Sequence, residues 1–166
     1  MKNRNYTRNN VVRVLFSVKT EGDDRSIIAD CDIAVNTELC LFTGPVIDYE
    51  ITKDLDEKES YALQVSKDSY HLLDPPFRYF NHSCDPNCGL TPDLKLIAIK
   101  PISVGEELTY DYSTTMMERD WKMKCSCGKS NCRKIISDFD KLPREVQTKY
   151  LELNIVQDYI RKALNK

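Results

Sequence analysis

No run of about 18 apolar residues occurs anywhere in this sequence, so no membrane-spanning helix is expected. The stretch from Met1 to Asn10 is polar and asparagine-rich and lacks the apolar segment of a secretory leader. Intracellular residence, cytoplasmic or nuclear, is therefore the expectation; export as an effector without a cleaved leader is compatible with it. There is no basic stripe, and the formal net charge is −2. Direct nucleic-acid binding has little to draw on, nor does attraction to an anionic membrane. Repeats, low-complexity blocks and long linkers are absent too. So is the alternation of strand and helix that a doubly wound sheet needs. The seven cysteines are an odd number in a chain that does not read as secreted, so a disulfide framework is not expected.

The 166 residues are 41% hydrophobic and 30% charged, ordinary values for a globular chain. A chain of this length buries roughly 68–70% of its unfolded surface, enough for one domain. Short β-branched or aromatic runs dominate. Strands are expected at Val11 to Val18, Ser26 to Ala29, Glu38 to Thr43, Tyr61 to Val65, Tyr70 to Leu73, Lys95 to Ile99 and Glu107 to Tyr112. Turns fall at Gly22-Asp23-Asp24, Gly44-Pro45, Lys67-Asp68 and Val104-Gly105, and Asp74-Pro75-Pro76 breaks any regular element. Asp48 to Glu59 is acidic and reads as a solvated face that could attract a basic peptide. After Pro143 the pattern turns helical: Val146, Tyr150, Leu153, then Val156, Tyr159, Ile160, Ala163 and Leu164. This predicts two short helices, or one broken near Asn154. They cap the strand domain, with a dimer or partner surface as the alternative.

Three motifs carry chemistry. Cys125-Ser126-Cys127 and Gly128-Lys129-Ser130-Asn131-Cys132 make a C-x-C-x4-C cluster in which Gly128 lets the chain turn around an ion. A tetrahedral thiolate site for zinc needs four ligands. Three are local, so a fourth must come from elsewhere, Cys84 first and Cys88 second. The segment Arg78-Tyr79-Phe80-Asn81-His82-Ser83-Cys84-Asp85-Pro86-Asn87-Cys88 sets two-ended polar groups beside aromatics, and Pro76 and Pro86 keep it irregular. It is a poor core element and a good ligand wall. In Gly105-Glu106-Glu107-Leu108-Thr109-Tyr110-Asp111-Tyr112, the two tyrosines are spaced to share one side of a strand.

Taken in order and spacing, Asn81-His82-Ser83-Cys84, Gly105 to Tyr112 and C-x-C-x4-C resemble the signature of SET-domain protein lysine methyltransferases with a post-SET zinc segment. Weaker matches are Ser60-Tyr61, Leu73-Asp74 and Ile33 to Gly44. The resemblance implies a mainly β fold with short helices: small curved sheets with a knot-like crossing, in which the Asn81 segment lies beside the strand leading to Tyr112. It implies a tail at 1–10, a SET domain at 11–113, a post-SET zinc segment at 114–137 and a helical extension at 138–166.

The resemblance also implies roles. Asn81, His82, Arg78 and Gly22 would contact S-adenosylmethionine, and Ile136 would pack near the adenine or the channel mouth. Tyr112 would sit at the active centre and Tyr110 would set how many methyl groups are added. Tyr61 would assist them, and with Phe80 and Tyr110 would wall the lysine channel. Cys84 becomes the fourth zinc ligand, beside Cys125, Cys127 and Cys132. The expected activity is mono- or dimethylation of a lysine on a protein or peptide such as a histone tail, by a monomer or weak dimer. The sequence departs from the family at Ser26, where a second early glycine is usual, and at Lys134, where a glycine often follows the last cysteine. An inactive SET-like module that binds a peptide is the competing reading, and the intact Tyr112 argues against it.

Overall fold

The computed structural model describes residues 15–55, 62–118 and 121–165. Short strands dominate, joined by irregular segments. In chain order they are β1 (Phe16–Glu21), β2 (Asp24–Ala29), β3 (Glu38–Leu41) and β4 (Val46–Asp48), then a one-turn helix α1 (Tyr49–Thr52). Next come β5 (Ala62–Gln64), β6 (Ser69–Leu72), β7 (Asn81–His82), β8 (Cys88–Leu90), β9 (Lys95–Ala98) and β10 (Thr109–Tyr110). The chain ends with β11 (Lys122–Lys124), β12 (Ile135–Ser137) and helices α2 (Arg144–Glu152) and α3 (Asp158–Leu164). No helix among the described residues is long and apolar enough to cross a membrane.

The strands form two three-stranded sheets, ordered β3-β9-β8 and β4-β6-β5, and three pairs. The β1–β2 hairpin turns on Gly22, whose φ of 62° fills the first of two central turn positions, where positive φ is required. Alternate residues of β2 point inward, so Ile27 and Ala29 are buried with Phe42, Phe80, Leu90, Leu96, Leu108 and Tyr110 in the main core. Backbone bonds from Ala29 to Glu106 (2.9 Å) and from Leu108 to Ile27 (2.8 Å) tie β2 to the approach to β10.

The pairing that matters most is β7 with β10. It is parallel, with Asn81 opposite Thr109 and His82 opposite Tyr110. Asn87 reinforces it: its Nδ2 donates to the Glu107 carbonyl at 2.8 Å and its Oδ1 accepts the Thr109 N–H at 3.0 Å. One side-chain amide thus acts as a missing strand.

Two helices follow Pro143, as the periodicity predicts. Asn154 adopts φ 56°, Ile155 N–H reaches the Tyr150 carbonyl at 3.2 Å and Asn154 N–H reaches that of Leu151 at 3.2 Å. These are the two bonds of a Schellman stop. Phe139, Leu142, Tyr150, Ile155, Val156 and Ile160 form a second buried cluster, against which Ile97, Ile99 and Met117 pack. A Cβ on Gly89 would come within 2.5 Å of Ile155, so the helices seat directly on β8. Leu153 and Leu164, placed on the apolar face by their spacing, are exposed.

The expected strand Glu107 to Tyr112 stops early. Tyr112 opens a 3₁₀ helix, Tyr112–Thr115, because the Asp111 side chain caps it by accepting the Ser113 N–H at 3.1 Å. Val11 to Val14, Ser60 and Tyr61 lie outside the described residues.

Lys134 holds a backbone conformation that suits glycine, φ 67°, while its carbonyl accepts the Cys125 N–H at 2.8 Å. An L-residue there costs about 1–2 kcal/mol. Lys134→Gly should therefore stabilise the fold by about 1 kcal/mol, raising the thermal midpoint by roughly 2–4 °C in a scanning melt. An unchanged or lowered midpoint would contradict that.

Candidate active site

A cleft of about 880 Å³ opens between β1–β2, the β7–β10 pair and the cysteine segment. That is within the size range of small-molecule sites. Asn81, His82, Tyr112 and Ile136, all singled out from the sequence, line it together. Their convergence follows from the parallel pairing, which sets β7 beside the strand that leads into Tyr112.

Tyr112 is held at both ends. Its hydroxyl donates to the Phe80 carbonyl at 2.9 Å, and its N–H donates to His82 Nδ1 at 3.2 Å. Its ring lies 4.9 Å from that of Tyr110 and 5.3 Å from the imidazole. The two tyrosines meet although only Tyr110 is on a strand. Burial, only partly opposed by Asp111 and reinforced by Arg133, pushes His82 down to about 4, so the ring is neutral at pH 7. With Nδ1 accepting from Tyr112, the proton resides on Nε2, which faces Cys84 Sγ at 3.3 Å. Tyr110 is buried, edge-on to Phe42, and desolvation raises its hydroxyl well above the usual tyrosine range.

Other expected residues sit elsewhere. Phe80 is 1% exposed, with its ring between Phe16 and Phe42 in the main core. Its carbonyl, not its ring, serves the site. Arg78 donates from Nε to the Leu73 carbonyl at 3.0 Å and is not among the cleft-lining residues. Gly22 occupies the hairpin turn and does not line the cleft either. Arg25 and Ser26 do, from the strand behind that turn. Tyr61 lies outside the described residues.

Sequence reasoning gave no role of their own to Arg25, Glu107 and Asn87. Arg25 lies over the Tyr79 ring at 5.0 Å and its Nη1 donates to the Tyr79 hydroxyl at 3.0 Å. Asn81 Nδ2 donates to Glu107 Oε1 at 2.8 Å and to the Arg25 carbonyl at 3.1 Å, so the cleft wall is cross-tied before any ligand enters. Glu107 carried a signal in its place in the Gly105-Glu106-Glu107 motif, and Asn87 in its place in the polar segment from Arg78 to Cys88.

The sulfurs of Cys84, Cys125, Cys127 and Cys132 all lie within 4.8 Å of one another. Cys84 Sγ is 3.7 Å and Cys132 Sγ 3.5 Å from Cys125 Sγ. Tetrahedral zinc with sulfur at about 2.3 Å requires sulfur–sulfur edges of about 3.8 Å, so the set fits. The Arg133 N–H points at Cys84 Sγ from 3.4 Å. Backbone N–H groups of Cys84 and Lys129 point at Cys127. Such donors suit thiolates. Cys88 is fully buried in the main core, away from this group, which removes it as a fourth ligand.

A family model described as the SET domain matches residues 24–113, more than half of the sequence. The chain belongs to the SET-domain family. The SET match ends one residue after Tyr112 and so takes in both β7 and β10. Among curated proteins the SET chain is 31% identical over 144 residues to a probable histone-lysine N-methyltransferase, set-23, of Caenorhabditis briggsae, covering 74% of this chain and 59% of that protein. It is 32% identical over 143 residues to the histone-lysine N-methyltransferase trr of Drosophila melanogaster, covering 76% of this chain and 6% of that one. The chain thus spans under two thirds of these relatives. Among the solved structures that share the fold are the following two. The methyltransferase domain of human histone-lysine N-methyltransferase SETMAR gives a TM-score of 0.57 at 23% identity, over 76% of this chain and 61% of that one. KRYPTONITE, in complex with mCHH DNA, an H3(1-15) peptide and SAH, gives 0.53 at 25% identity, over 75% and 30%.

Proposed function

We propose that this SET domain transfers methyl groups from S-adenosylmethionine to the side-chain amine of lysine in a protein, with a basic segment such as a histone tail as the substrate. The observation that carries this reading is the convergence of Asn81, His82, Tyr112 and the cysteine segment on one cleft. The names of the relatives, and the SAH and H3 peptide bound in the KRYPTONITE complex, support it. When bound, S-adenosylmethionine supplies an activated methyl group and a sulfonium charge. Arg25, Ser26, Asn81, His82 and Ile136 would hold it, with Arg25 and Ser26 taking the place of the Gly22 and Arg78 contacts expected from the sequence. Lys19 and Lys100 beside Glu21 and Asp85 give the cleft rim both signs of charge, suited to a ligand that carries an amine and a carboxylate.

The amine must be neutral to react. A free lysine is neutral on the order of one time in two thousand at pH 7, from its pKa of about 10.4. An apolar channel for the side chain and the nearby sulfonium charge would both lower that pKa. Tyr112 then orients the nitrogen: its proton is committed to the Phe80 carbonyl, so the oxygen lone pairs face outward as acceptors. Orientation of the two reactants carries most of the acceleration. The cysteine segment, clamped by zinc, closes the cleft on the side of Ile136.

Tyr110 sets the product. With its ring 4.9 Å from that of Tyr112, its hydroxyl would take space that further methyl groups require, which favours mono- or dimethylation over trimethylation. Tyr110→Phe should shift the product by at least one methyl group in mass spectra of a modified peptide. An identical product distribution would contradict this.

The reading as a whole is tested with labelled S-adenosylmethionine, histones and a cell extract, alongside calorimetric titration with S-adenosylhomocysteine. Label on a lysine is the expected result. Neither transfer nor cofactor binding would replace the enzyme with an inactive peptide-binding module.

A further inference from the structure

Asp111 stands between the two tyrosines and does not line the cleft. Its side chain is fully buried, yet both oxygens are occupied. Oδ1 accepts the Ser113 N–H at 3.1 Å and Arg133 Nη2 at 2.8 Å; Oδ2 accepts the Tyr150 hydroxyl at 3.1 Å. His82 Nδ1 lies 3.5 Å from Oδ1. The three donors come from three separate parts of the molecule: the 3₁₀ helix of Tyr112, the cysteine segment and helix α2.

Arg133 is the link to the metal site. It follows Cys132 directly, and its own N–H donates to Cys84 Sγ. Asn131 Nδ2 adds a bond to the Cys84 carbonyl at 3.2 Å. Closing the four sulfurs around an ion therefore fixes the backbone on which the Arg133 guanidinium is mounted. The guanidinium is itself largely buried, so its charge is tolerated only while Asp111 faces it. On the opposite side, Tyr150 is buried in the helical cluster and sends only its hydroxyl out to Asp111.

We infer that Asp111 is a positioning residue that couples the C-terminal helices to the zinc segment: Tyr150 and Arg133 orient one carboxylate, and that carboxylate is joined through the backbone to Tyr112. The inference rests on the zinc and methyl-transfer readings above. Coupling of this kind is reciprocal. Loosening the Tyr150 contact weakens zinc binding, and removing zinc loosens α2. The C-terminal helices are then more than a lid over β8. They tune the metal site from residues that touch no sulfur.

Tyr150→Phe tests this, since it keeps the ring in its cluster and deletes only the hydroxyl. Zinc affinity, read by competition with a chromophoric chelator, should fall about tenfold, at the low end for coupled sites. Ile160→Val loosens the same helical cluster without reaching Asp111 and should leave zinc affinity as it is. In an Arg133→Lys background the Tyr150→Phe effect should shrink, because the two act through one carboxylate. Chelation should speed amide exchange in α2 of the parent more than in Tyr150→Phe. Saturating zinc should restore methyl transfer to Tyr150→Phe. Parental zinc affinity in Tyr150→Phe, or additive effects of the two substitutions, would overturn the coupling. A chain that binds no zinc overturns the coupling and the metal reading together. Coupling without methyl transfer would support the inference and count against the enzyme; transfer without coupling would do the reverse.

Discussion

Tyr112→Phe should reduce methyl transfer by about 10²- to 10³-fold, the usual cost of deleting one preorganised polar group at a reacting centre. Binding of S-adenosylhomocysteine should stay within about twofold of the parent, as expected where a transition-state contact and not uniform binding is removed. The geometry separates the two effects. The ring contacts with Tyr110 and His82 survive the change, as does the N–H bond to His82. What goes is the hydroxyl, its bond to the Phe80 carbonyl, and the lone pairs it presents to the incoming amine. The substitution leaves the Phe80 carbonyl short of one donor, a loss of about 1 kcal/mol that the fold can absorb. Single-turnover transfer and calorimetric titration on the same preparation measure both quantities. Undiminished transfer would move the reaction centre away from Tyr112. Lost transfer together with lost cofactor binding would mean that the hydroxyl, through its bond to the Phe80 carbonyl, holds the cofactor cleft in shape and does not act on the amine alone.

What the sequence disclosed follows a physical pattern. Strands with alternating or β-branched residues, such as Ser26 to Ala29 and Lys95 to Ile99, were legible, as were the two helices and their break at Asn154. The strands β4, β8, β11 and β12 were not. Each has only three residues, too few to show a period of two. Tyr112 was expected on a strand, although Asp111 before Ser113 is a side-chain cap that could have been read as the end of one. Phe80 sits in a polar motif but anchors that motif in the core, which only packing reveals. Asn81, His82, Tyr112 and the cysteines were legible because their chemistry is unusual for a core. The roles of Arg25 and Asp111 depend on partners far along the chain: Tyr79 for the first, Arg133 and Tyr150 for the second. No local window contains both halves of such a contact.

Removing the metal should abolish methyl transfer while leaving the β3-β9-β8 sheet and its core folded. The cysteine segment has almost no core of its own. Its buried cluster consists of Cys84, Cys125 and Ile136, with Trp121 and Tyr112 packed alongside, whereas the main core holds fourteen buried residues. The β11–β12 hairpin is three residue pairs long, with Lys122, Met123 and Lys124 exposed. Ordering each residue costs about 1–2 kcal/mol in backbone entropy, and Ile136 alone returns about 1.5–3 kcal/mol on burial. A structural zinc contributes about 10–16 kcal/mol in small metal-dependent units, so an ion held by these cysteines would be the main force keeping this segment in place. Its loss removes Ile136 from the cleft and Arg133 from Asp111, and it leaves the main core untouched. Trp121 is the sole tryptophan and packs on the cysteine cluster, so its fluorescence follows the segment while circular dichroism follows the sheets. Treatment with a strong chelator should shift the tryptophan emission to the red and bring activity below detection, with most of the strand signal and its thermal transition retained. Cys84→Ser should do the same at ordinary zinc concentrations. Cys88→Ala should not, because Cys88 belongs to the main core. Full activity in a metal-free sample would mean the segment closes the cleft by packing alone, and the cysteines would then need another purpose.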